Sequence, residues 1–241
     1  MNKLILTGHS KGLGEALAHR FLNQGYEVLG ISRSKTDDMP GLTQIKLDLS
    51  DGAALLKWLE GGTLETFVDH ASQAILINNS GIVSPVNPLG KQANEEIVRS
   101  VDLNVTAPLL LSNVFVECTA NCPDRRILHI SSGAARFGYS SWSVYCATKA
   151  ALDHHARAVF EDAIANLRIS SMAPGIIDTG MQAEIRACST EAFPQLEEFK
   201  SFKQQGSLAT PADTATKICS LLLSEHFGQD LITDVRDYRD D

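Results

Sequence analysis

The first 31 residues contain a strand–turn–helix–strand pattern that narrows the choice of fold more than any other part of the chain. Residues 3–6 form a short apolar run, a glycine-rich turn follows over residues 8–14, and residues 15–25 have a helical pattern that stops at a glycine. Residues 28–31 form a second apolar run. Units of this βαβ type have a right-handed crossover, which makes their two strands parallel.

The same alternation of strands and helices continues to the end of the chain. Further strands are predicted at residues 45–47, 74–77, 126–130, 168–172 and 231–235, and helices at 51–59, 93–120 (interrupted near Pro108), 143–166 and 211–223. No repeat or linker interrupts the pattern. We therefore predict one α/β domain over residues 1–241, a doubly wound parallel sheet (Rossmann) with helices on both faces and ligands beyond the carboxyl ends of the strands. Residues 178–207 are interpreted as a substrate loop.

Composition excludes several classes of protein. A formal charge of -8 argues against a nucleic-acid or membrane-surface protein, and no apolar run approaches the 18 residues of a membrane span. The amino terminus lacks a signal-peptide layout. The five cysteines show no C-x-x-C pair, so we expect reduced thiols in a cytoplasmic protein. No metal site is predicted, since Cys118 and Cys122 have helical spacing but no nearby cluster of further ligands.

The glycine-rich turn predicts a phosphate site. Its glycines let the backbone approach a phosphate, and the helix that follows offers free N–H groups. An NAD site usually has an acidic residue at the end of the second strand, to bind the ribose 2′-hydroxyl. This chain has Ser32-Arg33 there and Lys11 in the turn. Both cations suit a 2′-phosphate and favour NADP, although either residue alone fits a solvated loop cation.

A second group of residues predicts proton-transfer chemistry. Ser132 precedes Tyr145, and Lys149 follows Tyr145 by four residues, which places tyrosine and lysine on one helix face. An ammonium beside a phenol lowers its pKa from about 10, so Tyr145 could exchange a proton with an alcohol or carbonyl. Ser132 could add a hydroxyl at the same oxygen. Alone, the Tyr145–Lys149 spacing also fits an ordinary helix face.

Taken together, these motifs resemble those of the short-chain dehydrogenase/reductase family over essentially the whole chain. The motifs are T-G-x-x-x-G-x-G at residues 7–14, Asp48-Leu49, N-N-S-G at residues 78–81, Asn104, Ser132, Tyr145-x-x-x-Lys149, and P-G-x-x-x-T at residues 174–179. Two positions depart from the family pattern. Ser80 replaces the usual alanine, and His9 stands where alanine or glycine is usual; we interpret His9 as a tolerated turn residue rather than a catalytic one.

The resemblance implies a role for each motif. Tyr145 would be the general acid for carbonyl reduction, Lys149 would lower its pKa and bind the nicotinamide ribose, Ser132 would polarise the substrate carbonyl, and Asn104 would hold a relay water. The cofactor-binding residues implied are Gly8, Ser10, Lys11, Gly12, Leu13, Gly14, Ser32, Arg33, Asp48, Leu49, Asn79, Gly81, Tyr145, Lys149, Pro174, Gly175, Ile177 and Thr179. The cofactor would be NADP(H).

Three further stretches are similar to sepiapterin reductases and to the bacterial benzil (diketone) reductases related to them. They are the residues from Trp142 to Lys149, residues 173–182, and Ile-Thr-Asp at 232–234. The similarity implies that Asp234 anchors a substrate, as a carboxylate near the carboxyl terminus does in sepiapterin reductases; a solvated acid in an acidic tail is the alternative. Phe137, Trp142, Phe193, Phe199 and Phe202 are expected either to line an apolar pocket or to pack in the core or an interface.

Two classes of function remain. The first is an NADPH-dependent reductase of a small ketone or diketone with Tyr145 as proton donor, a general ketone or 3-oxoacyl reductase being the alternative within it. The second is a non-catalytic NADP-binding sensor, which the presence of Asn104, Ser132, Tyr145 and Lys149 disfavours. From the family we expect a homodimer or homotetramer, with His154 and His155 on a helix surface or interface.

Overall fold

The computed structural model describes residues 1–238, which form one parallel sheet with helices on both faces. The seven strands lie in the order β3-β2-β1-β4-β5-β6-β7, and every neighbouring pair is parallel. This confirms the predicted doubly wound fold. The strands are β1 Asn2–Thr7, β2 Glu27–Ser32, β3 Leu42–Lys46, β4 Gln73–Asn78, β5 Arg125–Ile130, β6 Leu167–Ala173 and β7 Ile232–Asp234.

Nine α-helices connect and cover these strands in the described part of the chain. They are α1 Gly12–Asn23, α2 Gly52–Glu60, α3 Thr63–Val68, α4 Asn94–Val101, α5 Ala107–Cys118, α6 Ser143–Glu161, α7 Gly180–Arg186, α8 Leu196–Gln204 and α9 Pro211–Leu223. A π-helical turn, Asp102–Thr106, joins α4 to α5, and a short 3₁₀ helix, Gly133–Ala135, follows β5.

The core consists of two apolar layers, one on each face of the sheet. Alternate residues of a strand point to opposite faces, so Leu4 and Leu6 of β1 pack with α1 and α9, whereas Ile5 packs with α2, α3 and α5. Both layers contain fully buried phenylalanines, Phe21 in the first and Phe115 in the second. The central strands β1, β2 and β4 are largely apolar and buried on both faces, as is typical of parallel strands covered by helices.

Some element boundaries differ from those predicted. The prediction missed α3, a helix of only six residues, too short to show a periodic pattern. Helix α6 ends at Glu161 instead of residue 166, because Ala163 and Asn166 have positive φ angles of 49° and 60° that no right-handed helix accommodates. Residues 178–207, interpreted as a loop, contain helices α7 and α8.

The expected break near Pro108 is not a break. Pro108 lies in the first turn of α5, inside a helix that continues from the preceding π-helical turn to Cys118. The irregularity is the π-helical turn directly before it, which contains Asn104. The continuous helix from Asn94 to Cys118 is long and apolar enough to cross a membrane by length and composition alone. A core helix passes the same test, and Leu111 and Phe115 of this helix are fully buried in the second apolar layer.

The strand order reverses between β1 and β4, and this reversal places a crevice at the carboxyl ends of those two strands. The amino-terminal end of α1 closes tightly on β1 at this point. A Cβ atom at Gly14 would lie 2.0 Å from the carbonyl oxygen of Gly8, a distance that no side chain permits. Glycine at position 14 is therefore a condition for the approach of α1 to the turn.

We expect Gly14→Ala to lower the free energy of unfolding by about 2–3 kcal/mol, since the clash is with backbone that must move. Gly52→Ala is the matched control: Gly52 also lies in the first turn of a helix, but nothing lies within 4 Å of its added Cβ. That variant should be unchanged or more stable by up to about 1 kcal/mol. Denaturant unfolding monitored by circular dichroism measures both, and equal stability of the two variants would contradict the packing described.

Candidate active site

One cavity of about 460 Å³ follows the carboxyl edge of the sheet from β3 to β7. All of the residues predicted to bind a cofactor line it, and so do Ser132, Trp142 and Asp234. Of the four predicted catalytic residues, only Asn104 does not reach the cavity surface; it lies fully buried behind Gly81. The sequence motifs are therefore brought together in space, although their roles stay predictions.

The Thr7 side chain joins the two strand ends that form the middle of the cavity. Its hydroxyl oxygen accepts the backbone N–H groups of Asn79 and Ser80, both at 2.9 Å. The Asn79 amide donates in return to the Thr7 carbonyl at 2.9 Å. These bonds hold the segment after β4 against the glycine turn after β1. The glycine turn lies so close to the segment after β4 that position 8 has no room for a side chain: a Cβ atom at Gly8 would lie 2.9 Å from the Ser80 hydroxyl oxygen.

Asn104 uses its whole amide group to hold the cavity floor. Its Oδ1 accepts the Ile82 N–H at 3.0 Å, and its Nδ2 donates to the Ile82 carbonyl at 2.8 Å. Nδ2 also lies 3.2 Å from the Thr148 hydroxyl and 3.3 Å from that of Ser100. The π-helical turn directs this side chain toward the loop after β4, in keeping with the frequent use of such turns at functional sites.

Lys149 is fully buried at the same point. Its Nζ donates to the Ile130 carbonyl at 2.8 Å, and the added Cβ of Gly81 would lie 3.3 Å from Nζ and 3.2 Å from Asn104 Oδ1. Burial lowers the pKa of Lys149 to about 8, and the carboxylate of Asp153 only partly opposes that effect. Lys149 therefore has a pKa within reach of neutral pH.

The predicted lowering of the Tyr145 pKa is absent. Burial raises the pKa of Tyr145 to about 12, and a hydrogen bond with Ser132 acts in the opposite direction without cancelling it. The Lys149 Nζ atom lies 5.8 Å from the centre of the Tyr145 ring, and Lys149 is not among the groups that shift the Tyr145 pKa. The spacing of four residues correctly placed both side chains on one face, but spacing alone does not set the distance between the two polar atoms.

Ser132 lies where β5 ends and turns into the 3₁₀ helix. Its hydroxyl caps that helix by accepting the Ala134 N–H at 3.2 Å. The cap orients the serine side chain toward the cavity that Tyr145 also lines. A hydroxyl, a phenol and a buried amine thus lie together at one end of the crevice, and such groups can donate protons or hydrogen bonds to a carbonyl oxygen.

The other end of the cavity is cationic. Lys11 and Arg33 are exposed and line it, together with Ser34, which the sequence analysis did not identify. Partial burial opposes ionisation of Asp48, but hydrogen bonds from Ser50 and the nearby Arg33 cation lower its pKa. Asp48 therefore carries a negative charge beside Arg33. Ser34 could have been found from its position after Ser32-Arg33 at the end of β2.

Aromatic side chains form the wall beside Tyr145. Trp142 stacks on Phe193 with ring centres 4.9 Å apart, and Phe199 packs edge-on against both rings. Trp142 and Phe199 line the cavity, whereas Phe193 supports them from behind and Phe202 packs against Phe199. Phe137 neither lines the cavity nor packs in the core, because 69% of this residue is exposed. Of the three positions expected for it, only an interface remains.

Asp234 lines the cavity, but its carboxylate already has a partner. Arg236 donates to one carboxylate oxygen through Nε at 2.8 Å and to the other through a terminal nitrogen at 2.7 Å, and the Arg236 N–H adds a third bond at 2.9 Å. Although partial burial opposes it, this pairing lowers the pKa of Asp234. Asp234 is neither the solvated acid nor the free anchor considered from sequence. Arg236 was missed, and its spacing of two residues from Asp234 was the available signal.

Three buried histidine contacts were also missed. His9, interpreted from sequence as a tolerated turn residue, is fully buried and bonds to Gln44 at 3.0 Å. His129, fully buried on β5, lies 3.1 Å from the Asn78 amide and 3.0 Å from His155. His155 is thus half-buried, while His154 is exposed as expected. Over the described residues, no cluster of three or more histidine, cysteine or acidic side chains forms a metal site.

The cavity suits a nicotinamide dinucleotide. At the centre of the cavity, Gly8 and Gly14 keep the turn free of side chains. The turn leads into the amino-terminal end of α1, where backbone N–H groups are free to bind a pyrophosphate. Cations flank the adenosine end, and polar groups at Tyr145 and Lys149 flank the other. Comparisons with known proteins agree with this arrangement, since the family model for short chain dehydrogenases matches residues 2–189.

The chain belongs to the short-chain dehydrogenase family. It is therefore an oxidoreductase of that family. It is 39% identical over 227 residues to the benzil reductase ((S)-benzoin forming) of Bacillus subtilis (strain 168), covering 92% of this chain and 93% of the relative. It is 29% identical over 249 residues to the sepiapterin reductase of Xenopus laevis, covering 92% and 91%. A solved short-chain dehydrogenase/reductase from Burkholderia vietnamiensis is 42% identical, with a TM-score of 0.71 over 99% of this chain and 98% of that one.

Proposed function

We propose that this short-chain dehydrogenase is an NADPH-dependent reductase of aromatic ketones, with 1,2-diketones as its preferred substrates and Tyr145 as the proton donor. The observation that carries the proposal is the position of the buried Tyr145 phenol. It lies between the polar group of Ser132 and Lys149 and the aromatic wall of Trp142 and Phe199. A carbonyl beside that phenol would have its aromatic substituent on the wall.

NADPH is preferred over NADH because of the residues at the adenosine end. Lys11 and Arg33 flank the position after β2, where an NAD site would have a carboxylate for the ribose hydroxyls. A guanidinium binds a phosphate in a fork, which a free 2′-hydroxyl cannot match. The glycine turn would hold the pyrophosphate, and Pro174, Ile177 and Thr179 would hold the nicotinamide end. When bound, the reduced nicotinamide supplies a hydride.

Tyr145 would donate the proton that completes the alcohol. Its raised pKa keeps the phenol protonated over the whole neutral range, so the acid form needed for reduction is the resting form. Ser132 would donate a hydrogen bond to the same carbonyl oxygen. The ammonium of Lys149 would stabilise the phenolate that remains, and Asn104 would keep Lys149 and the loop after β4 in register.

A diketone is favoured over a pterin by the state of Asp234. An aminopyrimidine ring would need a free carboxylate, and Arg236 occupies both oxygens of this one. The apolar wall requires no such anchor. Similarity to benzil reductases at 39% identity supports the same choice over sepiapterin reductases at 29%. A general ketone or 3-oxoacyl reductase has no comparable support, since no observation on the cavity favours an acyl thioester.

We also propose a cytoplasmic homo-oligomer. All five cysteines are free thiols, as a reducing compartment requires. Val98, Val101 and Phe160 expose large apolar side chains on α4 and α6, and association of two copies through these helices would cover them. Either a dimer or a tetramer could cover these side chains, and size-exclusion chromatography with light scattering distinguishes the two states.

The first test is turnover of NADPH with benzil, sepiapterin, isatin, a simple aryl ketone and a 3-oxoacyl thioester, with NADH run in parallel. We expect the highest kcat/KM for benzil with NADPH. In Arg236→Ala, whose Asp234 carboxylate is released, sepiapterin should gain relative to benzil. Higher turnover of sepiapterin than of benzil by the wild-type protein would refute the diketone assignment, and equal use of NADH would refute the cofactor assignment.

Tyr145→Phe should lower kcat for benzil by about 100- to 10,000-fold, because the general acid is removed while the ring and its packing stay. The matched control is Tyr26→Phe. Tyr26 is also a buried tyrosine whose pKa burial raises to about 12, but it precedes β2, at the opposite edge of the sheet from the cavity. The control should keep its turnover. Steady-state kinetics with NADPH binding measured separately decides, and a Tyr145→Phe rate within a few-fold of wild type would exclude the phenol as donor.

The rate of benzil reduction should fall as pH rises through about 8, where the Lys149 ammonium is lost. The sign follows from the two pKa values: Tyr145 stays protonated to about pH 12, so only the lysine titrates in the neutral to mildly alkaline range. Lys149→Arg keeps a cation at all of these pH values and should lose the descending limb, whatever its absolute rate. A wild-type kcat/KM that is flat or rising between about pH 7 and about pH 10 would contradict this role.

A further inference from the structure

His9 lies fully buried in the glycine turn, with its ring against β2. A Cβ atom added at Gly30 would lie 2.3 Å from the ring carbon Cγ and 2.5 Å from Nδ1. The imidazole thus fills the space that any side chain at position 30 would need, and glycine in the middle of a strand is explained by this close approach. The partner of Gly30 on β3 is Gln44, and the ring reaches across to it.

The Gln44 side chain forms four hydrogen bonds that link His9 to the loop after β2. Its Oε1 lies 3.0 Å from His9 Nε2 and accepts the backbone N–H of Thr36 at 2.9 Å. Its Nε2 donates to the Thr36 carbonyl at 3.1 Å and to the Asp38 carboxylate at 3.2 Å. Since Oε1 only accepts, the hydrogen of the first bond belongs to His9 Nε2. The amide therefore holds both backbone groups of Thr36, and His9 fixes the amide.

The held segment carries the cationic end of the cavity. Between β2 and Thr36 lie Arg33 and Ser34, both of which line the cavity. The Ser34 hydroxyl lies 3.0 Å from the Ser10 hydroxyl, and its carbonyl accepts from Ser32. Residues 33–36 are thus attached to β2, to the glycine turn and, through Gln44, to β3.

We propose that His9 and Gln44 act together as a positioning pair that determines the preference for a 2′-phosphate on the adenosine ribose. The proposal rests on the NADPH preference proposed above. An exposed loop that binds a phosphate without support must be ordered on binding, and this entropy weakens the complex. With Thr36 held in advance, Arg33 and Ser34 are already beside the ribose position. His9 and Gln44 do not line the cavity themselves, so their effect acts through the loop.

Calorimetry with two soluble probes tests the pair without any reaction: adenosine 2′,5′-bisphosphate and adenosine 5′-monophosphate, each titrated into the full chain. His9→Ala restores the residue usual in the family, and Gln44→Met keeps the side-chain length but removes the amide. Each should weaken the bisphosphate by about tenfold and leave the monophosphate within about twofold, as loss of one preorganised segment predicts. The double variant should lose no more than either single variant, because the two residues act as a unit.

The matched control is His155→Ala, which removes the partner of the other buried histidine, His129, from α6 on the opposite face of the sheet. It should leave the ratio of the two affinities unchanged even if it lowers the melting temperature. In turnover assays the pair variants should raise KM for NADPH and leave kcat unchanged. Circular dichroism melting identifies a variant that fails to fold, and either His9→Ala or Gln44→Met alone suffices for the test.

Three results would overturn the proposal, and they are distinguishable. Wild-type preference for the bisphosphate with unchanged ratios in His9→Ala and Gln44→Met would reject the pair and leave NADPH use intact. Equal weakening of both probes would show a merely structural role. If the wild-type chain binds both probes equally well, the NADPH preference itself is rejected. The proposed role of His9 and Gln44 is then rejected as well.

Discussion

The amide of Asn104 holds together three parts of the chain on which the site depends. It pairs with both backbone groups of Ile82, which fixes the segment after β4, and it reaches the Thr148 hydroxyl on α6. Helix α6 carries Tyr145 and Lys149, so the depth of both side chains relative to the sheet depends on this contact. A buried amide with four partners is stable only if all are in place, because an unpaired polar group in the interior costs about 1–3 kcal/mol. The π-helical turn allows this, since it directs one side chain inward without ending the helix.

Burial at this point has opposite effects on the two ionisable side chains. It raises the pKa of the Tyr145 phenol and lowers that of the Lys149 ammonium, because in both cases the charged form loses solvation. The unliganded site therefore holds its proton on tyrosine, with lysine close to its titration point. The same shift affects stability. The pKa of Lys149 is 10.5 in the unfolded chain and about 8 in the folded one, so the free energy of unfolding increases as pH rises between these two values. A protonated phenol suits carbonyl reduction, whereas alcohol oxidation must first ionise it.

The sequence predicted the sheet and the residues along its carboxyl edge well, because both follow local rules. Apolar runs bounded by glycine or polar residues marked the strands, and Gly8, Asn79, Ser132 and Pro174 all lie just after a strand ends, at one cavity. What failed depends on contacts that local patterns do not encode. The six residues of α3 contain too few turns to show a period, and the end of α6 depends on the φ angles of Ala163 and Asn166.

Side-chain partners were predicted least well. Tyr145 and Lys149 have the right spacing, but the depth of burial reverses the expected direction of the tyrosine pKa. His9 was interpreted as a tolerated turn residue because it replaces the usual alanine or glycine of the turn. The glycine at position 30, twenty-one residues later, leaves the space in which its ring is buried. Periodicity does not predict long-range complementarity of this kind, since a pattern within one segment does not show which residue of another segment it will contact.

The carboxyl-terminal strand shows how one neighbouring residue changes what a motif does. Asp234 lies where a substrate-anchoring carboxylate would be expected, yet the bidentate bond from Arg236 neutralises it at the cavity wall. A cationic or amidine-like ring that binds Asp234 would have to replace the fork of hydrogen bonds from Arg236, although solvent can hydrate the Arg236 guanidinium, whose side chain is 68% exposed. An apolar aromatic substrate has no such requirement, because stacking beside Trp142 and Phe199 leaves the pair intact. Under the proposed function, the ion pair would disfavour ligands that need the Asp234 carboxylate, and the aromatic wall would favour aromatic substrates.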